Sequence, residues 1–389
     1  MTNRFVTRAT ASGHTTAVHI GGTLVHSAQD PHAEAEAIAS ILTSAEYKSL
    51  LVIGNGLGYL SGAVRRRGLK CVSIELFADI NSLAAEVTGV AADKLCLSGE
   101  ELISALDQYG LNAHILMSPY IMSLRAELSD DLRTLLEELQ VTLQSQRAYK
   151  NLIDRNIEAN RAQLPKLTRL CIQEQQSCKL AIAVGSGPTL DACMQTIIEW
   201  RDELLLVAAS GAVPVLRKNG ICPDWIVALE ARESVVADLE SAECESKVLV
   251  FPWTHPRAIN DDRLTLIAAN ESDGICTGGG STGLAAADFV AMLTSGAIFM
   301  IGMDMSDRKG EYSAGVARTT TNYTIGAAKF NVMRAAASRW ICSLKKKAYH
   351  VVMPGGEQIN GAHKLYPIEI ATAFARQKNE TPDSLEVHA

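Results

Sequence analysis

Leu180, Ala181, Ile182, Ala183 and Val184 run without a break into Gly185, Ser186, Gly187, Pro188, Thr189, Leu190 and Asp191. Five apolar residues in a row describe a strand covered on both faces, as in a parallel sheet. The two glycines let the chain turn sharply and pass close to a ligand. A helix is predicted from Thr189, and the unpaired amides of its first turn, at the positive end of its dipole, would seat a phosphate. A strand-to-helix turn without a ligand has the same sequence, so the surrounding chain has to separate the two readings.

Downstream the pattern repeats. A helix to Trp200 leads to the strand Leu204 to Ala209, followed by Ser210 and Gly211. A second helix ends at Gly220, and the strand Trp225 to Leu229 closes on Glu230. Val248 to Phe251 predicts a further strand, followed by Trp253, Thr254 and His255. Gly278, Gly279, Gly280, Ser281 and Thr282 precede an apolar helix from Leu284, and the strand Ala297 to Ile301 ends in Gly302, Met303 and Asp304. Strands alternating with helices predict a doubly wound parallel sheet, in which ligands bind at the carboxyl ends of strands near a reversal of strand order. Ser210, Gly211, Glu230 and Asp304 stand at such ends, and the second glycine run is a second candidate anion seat.

Upstream, a helix over Ala33 to Tyr47 and the strand Ser49 to Ile53 lead into Gly54, Gly56 and Gly58, then a helix and the strand Lys70 to Ile74 ending at Glu75. This is one βαβ unit, with an acid where nucleotide-binding folds hold a ribose. The loop resembles methyltransferase and dinucleotide fingerprints equally, and a packing role without a ligand is the other reading. A hairpin is expected around Gly21 and Gly22. Ser129 caps a long helix with Leu132, Leu136, Leu139 and Leu143 on one face; Asn156 and Asn160 are expected on its solvated side, a cleft being the alternative.

The 389 residues suffice for two or three domains, and 36 basic against 43 acidic residues, a net charge of -7, argue against a nucleic-acid or anionic membrane partner. The most apolar segment, Leu284 to Met303, contains Asp288 and is interrupted at Gly296, so no membrane span is expected. Nine cysteines without a Cys-x-x-Cys pair, and a start without a secretion signal, predict reduced thiols and a cytoplasmic location.

As an ordered series, Gly185 to Leu190, Ala209 to Ala212, Gly220 to Trp225, Gly279 to Gly283, Gly302 to Asp304 and Gly355 to Gly361 resemble the motility accessory factor family over residues 50 to 365. These are glycosyltransferases of flagellin, the protein of the bacterial flagellum, and they share a domain with hydroxymethylpterin pyrophosphokinase-like proteins. The resemblance implies an α/β fold class with two Rossmann-like doubly wound domains joined by a long helix, the central one sialyltransferase-like. The expected division is 1–128, a connector over 129–178, a transferase domain over 179–370 and a loose tail over 371–389. The implied donor is a CMP-activated nonulosonic acid of pseudaminic, legionaminic or sialic type, transferred with inversion to a serine or threonine hydroxyl of flagellin or another protein acceptor. No cofactor is assigned beyond that nucleotide sugar, Mg²⁺ is admitted, and an oligomer is allowed.

By the same resemblance, Gly185, Ser186, Gly187, Pro188 and Thr189 lie beside the nucleotide, as do Gly279, Gly280, Ser281 and Thr282. Ser210, Gly211, Glu230, Gly356 and Glu357 complete the donor-binding set. Tyr312 binds the leaving phosphate, whose developing charge amides and a hydroxyl can stabilise. The sequence departs from the pattern at Ser306, where a second tyrosine is expected, and no histidine occurs in residues 305 to 349 to match the catalytic one. Asp304, Glu311, His255 and His363 are the remaining candidates for the base. The helical carboxyl-terminal domain of longer relatives is expected to be missing or reduced. Two other functions remain open. One is a pterin pyrophosphokinase using ATP and Mg²⁺, which calls for paired acids at strand ends. The other is a non-catalytic flagellin-binding protein.

Overall fold

The computed structural model describes residues 4–44, 49–110, 113–172, 180–240, 245–269, 274–275, 281–305, 323–354, 356 and 358–379. It divides into two compact units, Met1–Leu143 and Gln144–Ala389, the division falling inside the single helix Asp130–Asn160. Both units are α/β with parallel main sheets, the expected fold class.

In the first unit β1 (Phe5–Ala9) and β2 (Thr15–His19) form an antiparallel pair. The chain reverses at Gly21 and Gly22 as expected: Val18 bridges Leu24, His19 N donates to Thr23 O at 2.9 Å and Val25 N to Ala17 O at 2.9 Å, although the returning arm is too short to count as a strand. The main sheet holds β3 (Ser49–Ile53), β4 (Lys70–Glu75), β5 (Lys94–Leu95) and β6 (His114–Met117) in the order β5-β4-β3-β6. Leu50, Leu51, Val52 and Ile53 are all buried, as an unbroken apolar run predicts.

The glycine loop after β3 is filled by the protein itself. Glu75 is fully buried and accepts from the Gly56 amide at 2.9 Å, the Tyr120 hydroxyl at 2.6 Å and the Leu76 and Phe77 amides. His26 Nε2 accepts from the Leu57 amide at 2.8 Å; burial lowers its pKa to about 4, so the ring is neutral and able to accept. A Cβ on Gly56 would stand 2.5 Å from that imidazole. The acid expected at a ribose thus holds its own loop, and the packing reading of this loop is the one the geometry supports.

In the second unit the strands are β7 (Thr168–Arg169), β8 (Leu180–Val184), β9 (Leu204–Ala209), β10 (Trp225–Ala228), β11 (Lys247–Val250), β12 (Thr265–Ala268), β13 (Ile298–Ile301), β14 (Ala348–Val351) and β15 (His363–Leu365). All pairs are parallel, in the order β15-β14-β13-β8-β9-β10-β11-β12-β7. The chain runs outward from β8 to β12 and then returns to β13 on the other side of β8. The strand order therefore reverses between β8 and β13.

Side chains of β8 alternate between two cores, Ala181 and Ala183 on one face and Ile182 and Val184 on the other. The two alanines share their core with Ala285, Ala286 and Ala287 of the helix Thr282–Leu293. Small residues on both partners let helix and sheet approach closely, and Phe289 anchors the helix edge-on to Trp225 at 5.0 Å. That packing fixes where the helix begins, beside the carboxyl end of β8.

Several expectations change. Asn156 and Asn160 are buried, and their Nδ2 atoms donate to the carbonyls of Ala231 and Trp253 and of Pro252 and Thr254. They hold the loops after β10 and β11, which no helical periodicity reveals. Residues 371–379, read from the sequence as a helix end before a loose tail, belong to the helix Ile370–Asn379, where Phe374 is fully buried edge-on to Phe299 at 4.8 Å, a burial the polar sequence does not suggest. Lys346, which the run Lys345 to Lys347 predicts at the surface, is partly buried and donates to the carbonyls of Ala291 and Thr294. Cys222 is disulfide-bonded, so the all-reduced reading does not hold for it. No helix among the described residues is long and apolar enough to cross a membrane.

Replacing Tyr120 with phenylalanine removes a donor from buried Glu75 and should destabilise the first unit by about 1–3 kcal/mol. Amide exchange of Leu50 to Ile53 would rise accordingly. Exchange at the wild-type rate would contradict the role given to Glu75.

Candidate functional site

The turns after β8 and β13 lie back to back. Gly185 N donates to Ile301 O at 2.8 Å and Gly187 N to Gly302 O at 2.7 Å. A Cβ on Gly185 would stand 2.5 Å from Gly302 O, and one on Gly302 would stand 2.1 Å from Gly185 O. Glycine is required at both positions by this close approach, and Gly302 has in addition a φ of 69°.

A closed set of hydrogen bonds ties the two turns together. Asp304 Oδ2 accepts from Thr189 N at 3.1 Å and from Thr189 Oγ1 at 2.8 Å. The same Oγ1 accepts from Gly302 N at 2.9 Å. Burial pushes the Asp304 carboxyl above the usual range, against the bonds from Thr189 that hold it down. A carboxylate at the start of the helix Thr189–Trp200 also meets the positive end of its dipole. The first-turn amide expected to face a phosphate is therefore engaged by the protein's own Asp304.

The cavity opens on another side of the same turn. It has a volume of about 310 Å³ and lies at the carboxyl ends of the strands, at the reversal of strand order. Gly185, Ser186 and Gly187 line it after β8, and Ser210 and Gly211 after β9. Glu230 lines it after β10, and Ser281, Thr282 and Gly283 at the amino end of the helix Thr282–Leu293. There Ser281 Oγ caps the Leu284 amide at 3.2 Å. The Thr282 and Gly283 amides precede the first intrahelical donor, so this terminus can receive an anion.

Segments about a hundred residues apart thus meet in one cavity. Of the other candidates, Pro188 is the cap position of the helix Thr189–Trp200, and Thr189 points to Asp304. Asp304, His255 and Gly356 are not among the lining residues. His255 Nδ1 instead accepts from the Arg257 amide at 3.3 Å, and Gly356 N donates to Met353 O. Gly279, Gly280, Tyr312 and Glu357 lie outside the described residues, as do Ser306 and Glu311.

Sequence reasoning missed three contributors. Asp238, on the helix Ser234–Glu240, lines the cavity beside Glu230, and burial first and then Glu230 push its pKa up to about 6. Its only sequence signal is an acid between Val236 and Leu239 on an otherwise apolar face. Arg232 also lines the cavity and stands 3.6 Å from Glu230. His350, fully buried in β14, donates from Nε2 to Met303 O at 3.2 Å and accepts from Ile359 N at Nδ1. Its pKa is lowered to about 4, chiefly by burial, so this neutral ring is a brace for the turn after β13. Among the described residues no group of three or more His, Cys, Asp or Glu side chains is placed to hold a metal ion.

A doubly wound parallel sheet with a cavity at its switch point is the layout of the Rossmann-like α/β folds, in which ligands bind at that place. Residues 151–310, less than half of the chain, match the family model described as 6-hydroxymethylpterin diphosphokinase MptE-like. The chain is also similar to the solved structure of the MAf glycosyltransferase from Magnetospirillum magneticum AMB-1. The identity is 15%, with 97% of this chain and 74% of that one covered and a TM-score of 0.41, too loose a superposition to carry function. No curated protein matches.

Replacing Thr189 with valine leaves Asp304 and the Gly302 amide without their shared hydroxyl and should cost about 1–3 kcal/mol, with Thr189→Ser restoring most of it. Thermal unfolding measures both. An unchanged melting point in Thr189→Val would show that the two turns are held by something else.

Proposed function

We propose that the protein is a glycosyltransferase that moves a nonulosonic acid from its CMP-activated donor to a serine or threonine hydroxyl of flagellin or a related acceptor. The observation that carries this reading is the convergence of Gly185 to Gly187, Ser210, Gly211, Glu230, Ser281 and Thr282 on one cavity at the switch point. Glu230 was singled out as the acid closing a strand and the others from their places in an ordered series of motifs, and sequence order alone does not bring them together.

In this reading the leaving cytidylate lies against the turn after β8 and the amino end of the helix Thr282–Leu293. The amides of Thr282 and Gly283 and the hydroxyls of Ser186, Ser281 and Thr282 there stabilise the charge that develops on phosphate as the bond to the sugar breaks. The sugar passes through an oxocarbenium-like state, and direct attack by the acceptor on the opposite face inverts its configuration. Tyr312 is assigned to the leaving phosphate by the same series of motifs. Asp304 acts through the turn it holds, as a positioning residue.

The family-model match favours a second reading, a pyrophosphokinase that transfers diphosphate from ATP with Mg²⁺. Glu230 and Asp238 would then be the acids near the metal.

The two separate by ligand. CMP at about 100 times its dissociation constant should stabilise the folded protein by about 2.7 kcal/mol and raise the melting point, while AMP, GMP and S-adenosylmethionine should not. In Gly187→Val the response should vanish, because a Cβ there would stand 2.2 Å from Asp304 Oδ2. A response to ATP that requires Mg²⁺, with none to CMP, would replace the transferase with the kinase.

A further inference from the structure

We infer that the cavity is polarised along the sheet, and that Glu230 and Asp238 accept the hydroxyls of a ribose whose phosphate lies at the opposite, glycine-lined end. This rests on the nucleotide-donor reading above and deepens it by fixing the ligand's direction.

The argument starts from strand order. β8 and β13 are neighbours at the switch point, and β9 and β10 follow outward. Neighbouring strands stand about 4.8 Å apart, so the end of β10 lies roughly 10 Å from the end of β8. The cavity spans that interval, from Gly185, Ser186 and Gly302 at one end to Glu230 and Asp238 at the other.

The two ends differ in chemistry. Near β8 and β13 the described lining is the glycine turn, the hydroxyls of Ser186, Ser281 and Thr282 and the uncharged side chains of Met303 and Met305, with the start of the helix Thr282–Leu293 beside it and no charged side chain. That end attracts an anion. Around β10 the lining carries the carboxyl groups of Glu230 and Asp238, close enough that Glu230 raises the pKa of Asp238, and a single guanidinium, Arg232, which already faces Glu230 at 3.6 Å and leaves the acids in excess. A phosphate placed there would be repelled, whereas hydroxyl donors would be held.

Dinucleotide-binding folds of this class carry the ribose acid at the end of the second strand. Here the second strand of the unit's main run, β9, ends in Ala209, Ser210 and Gly211, and the acids come from one strand further out. Gly211 lies between the two ends: a Cβ built on it would be at ordinary contact distance from Ser186 Oγ, 3.6 Å, and from Asp238 Oδ2, 4.0 Å. A sugar ring passing over Gly211 reaches the acids with its hydroxyls leading.

The test pairs a ligand truncation with a protein truncation. Calorimetric titration of the full chain with CMP and with deoxycytidine monophosphate should show about a tenfold loss of affinity without the hydroxyl. In Asp238→Ala the two ligands should bind within about twofold of each other, and Asp238→Asn, which keeps an acceptor oxygen, should retain part of the difference. The melting point of each unliganded variant shows that it is folded. The assignment is overturned if the wild type binds both ligands equally, or if folded Asp238→Ala keeps the full difference. It is also overturned if binding depends on Mg²⁺ and ignores the hydroxyl, since the acids would then hold a cation. AMP, GMP and their deoxy forms separate this claim from its parent. Hydroxyl dependence with one of them, and no binding of CMP, removes the cytidylate donor and keeps the ribose end. Silence with every ribonucleotide removes both.

Discussion

The contact on which the second unit depends is the triangle of Thr189, Asp304 and Gly302. One threonine hydroxyl donates to the carboxylate and accepts from the glycine amide, joining the turns that follow two neighbouring strands. All of these groups are buried, so none has water as an alternative partner and loss of one leaves the others unsatisfied. The triangle brings the two backbones to a separation that only glycine allows at Gly185 and Gly302. His350 braces the same turn from β14. With both turns fixed, the cavity beside them has a rigid wall, and rigid walls are what let fixed dipoles act on a bound anion without reorganising.

The first unit shows what the same type of loop becomes when the chain fills it. Glu75 plays toward Gly56 a part like that of Asp304 toward Thr189, a strand-end acid accepting from a loop amide. Tyr120 and His26 then occupy the remaining space around the glycines. In the second unit the strand-end acid is drawn to one side of the turn, leaving the other side open to the cavity. The two loops read alike in sequence because the residues that fill the first, His26 and Tyr120, lie 31 and 64 positions from the amides they meet.

That separation marks what was legible in the sequence. Strands of four to six apolar residues ending in glycine or an acid were placed nearly to the residue, β3, β8 and β9 among them, because both faces of a parallel strand are buried and the pattern has no interruption. The two-residue β7 and three-residue β15 offer no period to detect. The cavity was legible in part, since glycine and serine at strand ends carry a local reason to be there. Asp238 and His350 carry none, as their roles depend on Glu230 and Met303 across other elements. Asn156 and Asn160 were misplaced for the same reason, their partners being carbonyls 75 to 97 positions away.

A structure of the protein with CMP bound addresses the central claim, that the cavity beside this triangle holds the donor nucleotide in one direction, most directly. The account predicts the phosphate between the Gly185 to Gly187 turn and the amino end of the helix Thr282–Leu293, with the ribose hydroxyls toward Glu230 and Asp238. A nucleotide seated outside the cavity, or one with its phosphate at the acids, would contradict it.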